Sequence, residues 1–166
     1  MRVTKQTNYA VRILMYCAAN PMELSRVPEI AKAYGVSELF LFKILKPLVK
    51  AKLIETVRGR NGGIKLARPA EEITLFDVVR ETEDSFAMAE CFENEDADCP
   101  LVNSCALNSA WRDALNAFLM SLAKHTIADL SASRFDIIGR LGIPTDETLA
   151  GKRSLPAERP MAAAAR

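Results

Sequence analysis

The sequence predicts a mostly helical fold that includes one small β-hairpin. Three observations lead to this prediction. Residues 1–51 contain two stretches with apolar residues at helical spacing, and between them a short stretch bounded by the helix start and stop signals Pro28 and Gly35. Two short β-prone runs then flank a glycine-rich loop within residues 53–69. An apolar stripe returns at helical spacing over residues 107–124. With 166 residues, the chain is expected to form one domain plus appendages.

The first two predicted helices are short. One covers residues 6–19 and ends at Asn20-Pro21, a turn-forming pair. Its apolar stripe consists of Ala10, Ile13, Leu14, Cys17 and Ala18. The other begins at Pro28, which suits the first helical position, and ends before Gly35.

The third helix is predicted to run from Ser37, a favoured N-cap residue, to about Ala51. Pro47 lies inside this helix and is expected to kink it. The side of the helix that faces the core carries Leu41, Ile44, Leu45 and Leu48. The opposite side carries Glu38, Leu39, Phe42, Lys43 and Lys46.

Two short strands are predicted next, at residues 54–58 and 64–66, joined by the glycine-rich turn 59–63. Three helices followed by a hairpin are the element order of a winged helix-turn-helix domain, which we assign to residues 1–82. In such a domain the third helix enters the major groove of DNA and the hairpin forms the wing.

Two further helices are predicted from Thr-x-x-Asp capping pairs, Thr74 with Asp77 and Thr126 with Asp129. Between them lies the long helix, whose apolar stripe consists of Leu107, Trp111, Ala114, Leu115, Phe118 and Leu122. We expect this long helix to be a dimerisation helix, because Trp111 and Phe118 suit a partner surface. Residues 107–140 would then contain the dimerisation helix and the short helix after it. The alternative is that the long helix folds back on its own core.

Two segments show no helical pattern. Residues 83–106 form an acidic, irregular loop that carries three cysteines. Residues 141–166 are rich in Pro, Ala, Arg and Glu, and this composition predicts a disordered tail.

Charge is distributed unevenly along the chain. Residues 1–70 carry 13 Lys and Arg against 4 Asp and Glu, whereas residues 71–166 carry 9 against 17. This asymmetry favours one half that binds a polyanion, although a basic face can simply be solvated. The polar N-terminus, and the lack of an apolar run of about 20 residues, predict a cytoplasmic protein without membrane contact.

The predicted DNA-reading surface combines the third helix with the hairpin. Leu39 and Phe42 suit thymine methyl groups, and the lysines beside them suit guanine edges or phosphates. Packing of Phe42 on the wing or on the first helix is the alternative. Hairpin cations beside glycines suit phosphate contact or a narrow minor groove. The predicted DNA contacts are Ser37, Glu38, Leu39, Phe42, Lys43, Lys46, Arg58, Arg60 and Lys65.

Cys91, Cys99 and Cys105 form a clustered triad in the acidic loop. The triad lacks the closely spaced cysteine pairs of structural zinc sites, and the single histidine, His125, is twenty residues further on. Soft thiolates at wide spacing favour an iron–sulfur cluster. Three ligands leave one iron of a four-iron cluster without a cysteine, which suits a sensor. Cys17 lies on an apolar stripe and is predicted to be a core residue.

These features resemble one family, the winged-helix iron–sulfur regulators, which include the iron–sulfur-assembly regulator and the nitric-oxide-sensing repressor. The resemblance is strongest to the rhizobial iron-regulating members. It covers about residues 1–140 and rests on the cysteine triad and on the segments TKQTNYAVR (4–12), VPEIAKAYGVSELFLFKIL (27–45), ETVRGRNGG (55–63) and ITLFDVVRETED (73–84). It implies a homodimer with crossing long helices, and a cluster-bound form that binds double-stranded operator DNA to repress transcription. For the rhizobial members it implies repression of iron-uptake genes when iron is plentiful.

The cofactor implied by the resemblance is a [4Fe-4S] cluster, with [2Fe-2S] as a degradation product, held by the three cysteines. Some relatives add a histidine three residues after the third cysteine, or an aspartate at the start of the first helix. This chain has Asn108 and Asn8 at those positions. Water, a small molecule, Glu93 or Asp96 are therefore all open as the fourth ligand.

Two other functions are compatible with the sequence. One is a metal-free regulator that forms a disulfide under peroxide, and the other is an iron–sulfur carrier whose basic half binds a protein. An enzyme is not predicted, and no catalytic residue is assigned. The single histidine, without a nucleophile–base pair or a phosphate-binding loop, offers no catalytic site.

Overall fold

The computed structural model describes residues 2–21, 23–89, 92, 101 and 105–143. These residues form seven helices, α1 (Lys5–Ala19), α2 (Val27–Tyr34), α3 (Glu38–Lys50), α4 (Leu75–Thr82), α5 (Ala106–Ala123), α6 (Ile127–Leu130) and α7 (Arg134–Leu141). Strands β1 (Ile54–Val57) and β2 (Gly63–Leu66) pair as an antiparallel hairpin, and a 3-10 turn spans Ala70–Glu72. The predicted fold class, mostly helical with a small hairpin, is confirmed. None of the described helices is long and apolar enough to cross a membrane.

Local side-chain chemistry sets the ends of the first three helices. The Thr4 hydroxyl accepts the Thr7 N–H at the start of α1, and the Ser37 hydroxyl accepts the Phe40 N–H at the start of α3. Gly35 ends α2 in the left-handed conformation, with φ 64°, which glycine adopts without a steric penalty. The predicted helix boundaries are therefore confirmed to within a residue or two.

The predicted kink site, Pro47, lies inside α3, and the helix continues past it to Lys50. A proline has no N–H to donate to the carbonyl four residues earlier, which here belongs to Lys43. Beyond the proline the helical bonding resumes, since the Ala51 N–H donates to the Pro47 carbonyl at 2.9 Å. One proline near the C-terminal end of a helix is thus tolerated when the rest of the helix packs on a core.

Helix α1 lies at the centre of the hydrophobic core and contacts α3, α4, α6, α7 and β2. The predicted core stripe of α3 is confirmed, and so is that of α1 except at Ala18, which is only partly buried while its neighbour Ala19 is buried. Their fully buried members include Ala10, Ile13, Leu14, Leu41, Ile44 and Leu48. At the C-terminal end of α1, the Arg134 side chain donates to the Ala19 carbonyl at 2.9 Å and so satisfies a backbone group that the helix leaves unpaired.

Two capping boxes place α4 and α6 side by side. Thr74 with Asp77, and Thr126 with Asp129, exchange side-chain and backbone hydrogen bonds as predicted. The Leu75 N–H donates to the His125 carbonyl, and the Ile127 N–H donates to the Ile73 carbonyl, both at 2.8 Å. These bonds join the end of the long helix to the N-terminal domain.

The structure extends the fold beyond the predicted boundary of the tail. Helix α7 was not predicted as a separate element, although Gly142 supplies a left-handed end at φ 59°. Ile143 after it is 4% exposed and belongs to the core. Residues 141–143 of the predicted tail therefore pack in the folded domain, and residues 144–166 lie outside the described residues.

Candidate DNA interface and cysteine centre

Helix α3 presents all of its predicted DNA contacts to solvent. Ser37, Glu38, Leu39, Phe42, Lys43 and Lys46 are exposed, whereas the core stripe of the same helix is buried. Leu39 is 76% exposed and Phe42 is 52% exposed, which is unusual for large apolar side chains. Among the described residues, neither lysine of this face forms an ion pair.

Phe42 also borders the hairpin. An apolar groove of about 440 Å³ separates α3 from the two strands, and its lining includes Phe42, Leu45, Val49, Val57 and Ile64. The ring of Phe40 packs against α1, with its centroid 5.3 Å from that of Tyr9. Of the two alternative packings considered for Phe42, the wing side is therefore the one observed, and half of the ring stays open to solvent.

The hairpin tip is shaped by glycines. Gly59 has φ 115°, and a Cβ on Gly62 would lie 2.3 Å from the Val57 carbonyl oxygen, so neither position accepts another residue without strain. The predicted contacts Arg58 and Arg60 are exposed at this tip, and no ion pair involves them within the described residues. The tip thus combines a close-approaching backbone with two available guanidinium groups.

The third predicted hairpin contact, Lys65, is already paired within the hairpin. It lies opposite Glu55 in the strand register, and its Nζ is 3.3 Å from the Glu55 carboxylate. Both side chains are about half exposed, so the pair contributes little to stability. Lys65 would have to leave Glu55 to reach a phosphate, which distinguishes it from the two arginines.

A backbone bridge holds the wing against the start of α2, and sequence reasoning missed it. The Ser25 N–H donates to the Ile64 carbonyl at 2.9 Å, and the Ile64 N–H donates to the Ser25 carbonyl at 2.8 Å. A Cβ on Gly63 would come within 2.7 Å of the same Ser25 carbonyl oxygen. A glycine at that position therefore permits the bridge.

The cysteine triad is only partly within the described residues. Cys105 is the N-cap residue of α5, it is half-buried, and its thiol makes no capping hydrogen bond. Cys91 and Cys99 lie outside the described residues, as do the candidate fourth ligands Glu93 and Asp96. Within the described part of the chain, no group of three or more His, Cys, Asp or Glu residues forms a metal site.

Cys17 differs chemically from Cys105. It is 3% exposed, and burial raises the pKa of its thiol to about 12. A thiol with that pKa is protonated at neutral pH and does not act as a thiolate ligand. The predicted core role of Cys17 is confirmed, and it is set apart from the triad.

The residues around Cys105 fit an anionic cluster bound by thiolates. The N-terminus of an 18-residue helix carries partial positive charge, which favours a thiolate there. One turn later the Asn108 side-chain oxygen accepts a hydrogen bond from Arg112 at 2.7 Å. The Arg112 guanidinium also lies 5.1 Å from the centre of the Phe92 ring. Phe92 directly follows Cys91 in the chain. The contact therefore places the residue after Cys91 next to α5, the helix whose N-cap is Cys105.

A hydrogen-bonded cluster, here called the α1–α4 clip, consists of Thr4, Thr7, Thr82 and Glu83. The Thr4 N–H donates to the Glu83 carboxylate at 2.8 Å, and the Thr7 and Thr82 hydroxyls are 2.8 Å apart. The Thr82 hydroxyl donates to the Val78 carbonyl, so its bond to Thr7 must use the Thr7 proton. The clip joins α1 to the residues that lead into the cysteine segment. Threonines at these positions have no periodic pattern, which is why sequence reasoning did not find the clip.

Helix α5 lies on the outside of the chain. It contacts α4, but none of its residues is buried. Leu107 is 62% exposed and Trp111 is 38% exposed, although both belong to the predicted stripe. Next to it, an apolar groove of about 370 Å³ is lined by Phe76 of α4 and by residues of α5 that include Leu119 and Met120. The described part of one chain therefore leaves Leu107 and Trp111 of this stripe exposed, whereas Leu115, Phe118 and Leu122 are partly buried.

Comparison with known proteins identifies the family. A family profile described as "Rrf2: Iron-dependent Transcriptional regulator" matches residues 3–133. The chain belongs to the Rrf2 family of transcriptional regulators. It is 70% identical over 143 residues to a protein of Rhizobium meliloti named Protein aau3, covering 86% of this chain and 93% of that protein. It is 40% identical over 148 residues to the transcriptional regulator NsrR of Shouchella clausii, covering 89% and 99% respectively.

Solved structures show the same fold. The structure of IscR from T. potens matches with a TM-score of 0.62 and 25% identity, covering 80% of this chain and 88% of that chain. The structure of CymR, the global cysteine regulator of B. subtilis, matches with a TM-score of 0.66 and 23% identity, covering 80% and 98%. The relatives of this Rrf2 chain are regulators and not enzymes, in agreement with the absence of a predicted catalytic site.

Proposed function

We propose that this Rrf2 protein is a homodimeric repressor that binds operator DNA when it holds an iron–sulfur cluster, and that it controls iron-uptake genes. The observation that carries the proposal is the position of Cys105. Its thiol has no capping partner and stands at a helix N-terminus, on the helix that receives the Phe92 contact. The link to iron uptake rests on the resemblance to rhizobial iron-regulating members.

DNA would be read by the exposed face of α3. Lys43 and Lys46 supply donors for guanine edges or phosphates, and Leu39 supplies an apolar surface for thymine methyl groups. The wing arginines, Arg58 and Arg60, would follow the backbone or enter the minor groove. Ser37 and Glu38 lie at the N-terminal end of α3, the end that commonly meets the bases.

Cys91, Cys99 and Cys105 would hold the cluster, most simply a [4Fe-4S] cluster that decays to [2Fe-2S]. A bound [4Fe-4S] cluster would supply a centre that iron shortage or oxidants could remove, because the three cysteines would leave one iron without a cysteine ligand. The chain's own part is to gather three thiolates from a segment bounded by the α1–α4 clip and by α5. The fourth ligand stays open between water, a small molecule, Glu93 and Asp96.

Coupling to DNA would pass through the α1–α4 clip. Glu83 lies at the start of the cysteine segment and accepts the Thr4 N–H at the N-terminus of α1. Five residues along α1, Tyr9 contacts Phe40 of the recognition helix. A change in the segment that moves Glu83 therefore has a short route of direct contacts to α3. If the cluster-bound form binds operator ~100-fold more tightly, the coupling free energy is about 2.7 kcal/mol.

The stripe of α5 would bind the same helix of a second chain. Trp111 and Leu107 are apolar and exposed, and aromatic residues are enriched at the centres of such interfaces. A two-fold dimer would place the two recognition helices ~34 Å apart and would read a nearly palindromic site.

The deciding experiment compares serine variants of the triad with a variant of the buried cysteine. Cys91→Ser, Cys99→Ser and Cys105→Ser, purified without oxygen, should be colourless and should bind operator weakly. Cys17→Ala, the matched control, should keep the visible cluster absorbance and operator binding, because a protonated core thiol is no ligand.

Two results would contradict the proposal. Normal cluster absorbance in the serine variants would remove the ligand assignment. A wild-type protein that contains no iron or sulfide when purified without oxygen, yet binds operator until peroxide is added, would identify a metal-free thiol regulator instead.

A further inference from the structure

One face of the domain carries cations that the DNA-reading surface described above does not include. Lys5 and Arg12 of α1 lie over aromatic rings, and with those rings they form what we call the cation–aromatic cluster. Its members are Lys5, Tyr9, Arg12, Tyr34 and Phe40. We propose that this cluster is a second phosphate-contact site for the DNA backbone, on the side of α3 opposite the wing. The inference rests on the proposed DNA-binding function and adds residues to it.

The rings of the cluster pack edge to face. Tyr9 lies at the centre, with its ring centroid 6.2 Å from that of Tyr34 and 5.3 Å from that of Phe40, at interplanar angles of 88° and 83°. The Tyr34 hydroxyl donates to the Arg12 backbone carbonyl at 3.0 Å. One ring therefore comes from each of α1, α2 and α3, and the cluster is fixed to the helix-turn-helix itself.

The cations are held in place but keep their charge available. The Arg12 guanidinium lies 4.9 Å from the centre of the Tyr9 ring, and the Lys5 ammonium lies 5.4 Å from the centre of the Phe40 ring. Both side chains are exposed, and neither takes part in an ion pair with another described residue. Ring contacts restrict a cation's rotamers without neutralising it, so less side-chain entropy is lost when a phosphate arrives.

Helix geometry puts the cluster beside the reading face. At about 100° per residue, Phe40 lies about 100° to one side of Leu39 and Phe42 lies about 60° to the other side. Phe40 contacts α1, and Phe42 borders the wing groove. The exposed face of α3 is therefore flanked by the cation–aromatic cluster on one side and by the wing cations, Arg58 and Arg60, on the other.

This arrangement matches the two edges of a major groove. The groove is about 12 Å wide and is bordered by the phosphates of both strands. A recognition helix lying in it needs cations on both sides, because phosphate contacts set the position of a protein on the duplex. Arg58 and Arg60 serve the wing side. Lys5 and Arg12 are placed to serve the other side.

The test is a salt titration of operator binding by the full-length, cluster-loaded protein with Lys5→Gln/Arg12→Gln. Loss of two phosphate contacts in each subunit of a dimer should make the slope of log affinity against log salt shallower by about 3 to 4. The variant should bind much more weakly than wild type at 50 mM salt, and this difference should narrow roughly 100-fold by 200 mM. The loss should be similar for operator and for unrelated DNA, since phosphates carry no sequence information.

Two control proteins separate charge from packing and from net charge. Lys5→Arg/Arg12→Lys keeps both charges and should keep the wild-type slope. Lys124→Gln/Arg140→Gln removes two exposed cations outside the N-terminal domain, and it should also keep the slope.

The possible failures can be told apart. A wild-type protein without operator preference or salt dependence would count against the proposed function as a whole. Steep wild-type salt dependence with an unchanged slope in Lys5→Gln/Arg12→Gln would overturn this inference alone. An unchanged slope together with a weakened dimer in sedimentation would mean that the cation–aromatic cluster faces the partner subunit and not DNA.

Discussion

Helices α3 and α5 both expose large apolar side chains, but their charges differ. Helix α3 exposes Leu39 and Phe42 and carries three lysines and one glutamate. Helix α5 exposes Leu107 and Trp111 and carries one arginine and one aspartate. Apolar groups on a cationic face suit the bases and phosphates of DNA, whereas apolar groups on a neutral face suit another protein. The kind of partner is therefore indicated by the charge around the exposed apolar side chains and not by their exposure alone.

The largest expected effect comes from placing a charge in the neutral stripe. Trp111→Glu should convert the dimer to a monomer, because a carboxylate cannot be buried unpaired in an apolar interface. Operator affinity should fall by roughly 10²–10⁴-fold, since the second half-site is no longer bound by a linked copy. Sedimentation equilibrium at micromolar concentration and an operator titration measure the two effects.

Ser109→Glu is the matched control for this change. Ser109 is exposed on the same helix, about 160° around the axis from Trp111. It should leave the dimer intact. A Trp111→Glu protein that sediments as the wild type would show that α5 is not the dimer helix.

A charge change on α3 should act on DNA only. Lys43→Gln should weaken operator binding by about 1–3 kcal/mol if the lysine meets a base edge, and the loss should be greater for the operator than for unrelated DNA. The dimer should be unaffected in sedimentation. Lys124→Gln, at the end of α5, provides the control. An equal effect of both substitutions would mean that only overall charge matters.

A smaller effect is expected at the α1–α4 clip, which joins α1 to the residues that lead into the cysteine segment. Thr7→Val removes the hydroxyl that bonds to Thr82 while nearly preserving its volume. The ratio of operator affinities between the cluster-bound and cluster-free proteins should fall by about 0.5–2 kcal/mol. Glu81→Gln, on the same helix but outside the clip, should leave the ratio unchanged. If Thr7→Val lowers both affinities equally, the clip supports the fold and does not couple the sites.

The smallest effect concerns the capping box that joins α4 to the end of α5. Burial raises the pKa of Asp77, but hydrogen bonds from Thr74 and the charges of Arg68 and Arg80 outweigh it and leave the pKa below its usual value. A carboxyl with a lowered folded-state pKa stabilises the fold above its unfolded pKa, and this stabilisation is lost as the pH falls through the folded pKa.

Asp77→Asn should therefore cost about 1 kcal/mol of unfolding free energy at neutral pH. The difference from wild type should begin to shrink as the pH falls below the unfolded pKa of about 4, and it should be smallest below the lowered folded-state pKa, where the wild-type carboxyl is protonated too. Denaturant unfolding at several pH values measures it. Asp136→Asn, which removes an exposed carboxylate of α7 that belongs to no capping box, is the control for the change in net charge. A cost that stays constant with pH would assign the effect to geometry and not to charge.

Much of the fold could be predicted because its signals are local. Apolar spacing located α1 and α3, glycines located the hairpin turn, and the Thr-x-x-Asp pairs located α4 and α6. Helix α7 was missed because it has no capping pair at its start, where the N-cap residue Ser133 makes no side-chain capping hydrogen bond. The predicted reading face of α3 is exposed as expected, yet Lys65 is paired with Glu55, a contact that depends on strand register.

What local pattern could not supply are contacts between residues far apart in the chain. The α1–α4 clip joins residues 75 or more positions apart, and the cation–aromatic cluster joins three helices. The chemical contrast between Cys17 and Cys105 was within reach of the sequence, because one lies on an apolar stripe and the other in an acidic loop. The packing of α1 against α3 decided which cations flank the recognition helix. Helical spacing in the sequence shows which residues share one face of a helix, but it does not show which neighbouring helix that face will contact.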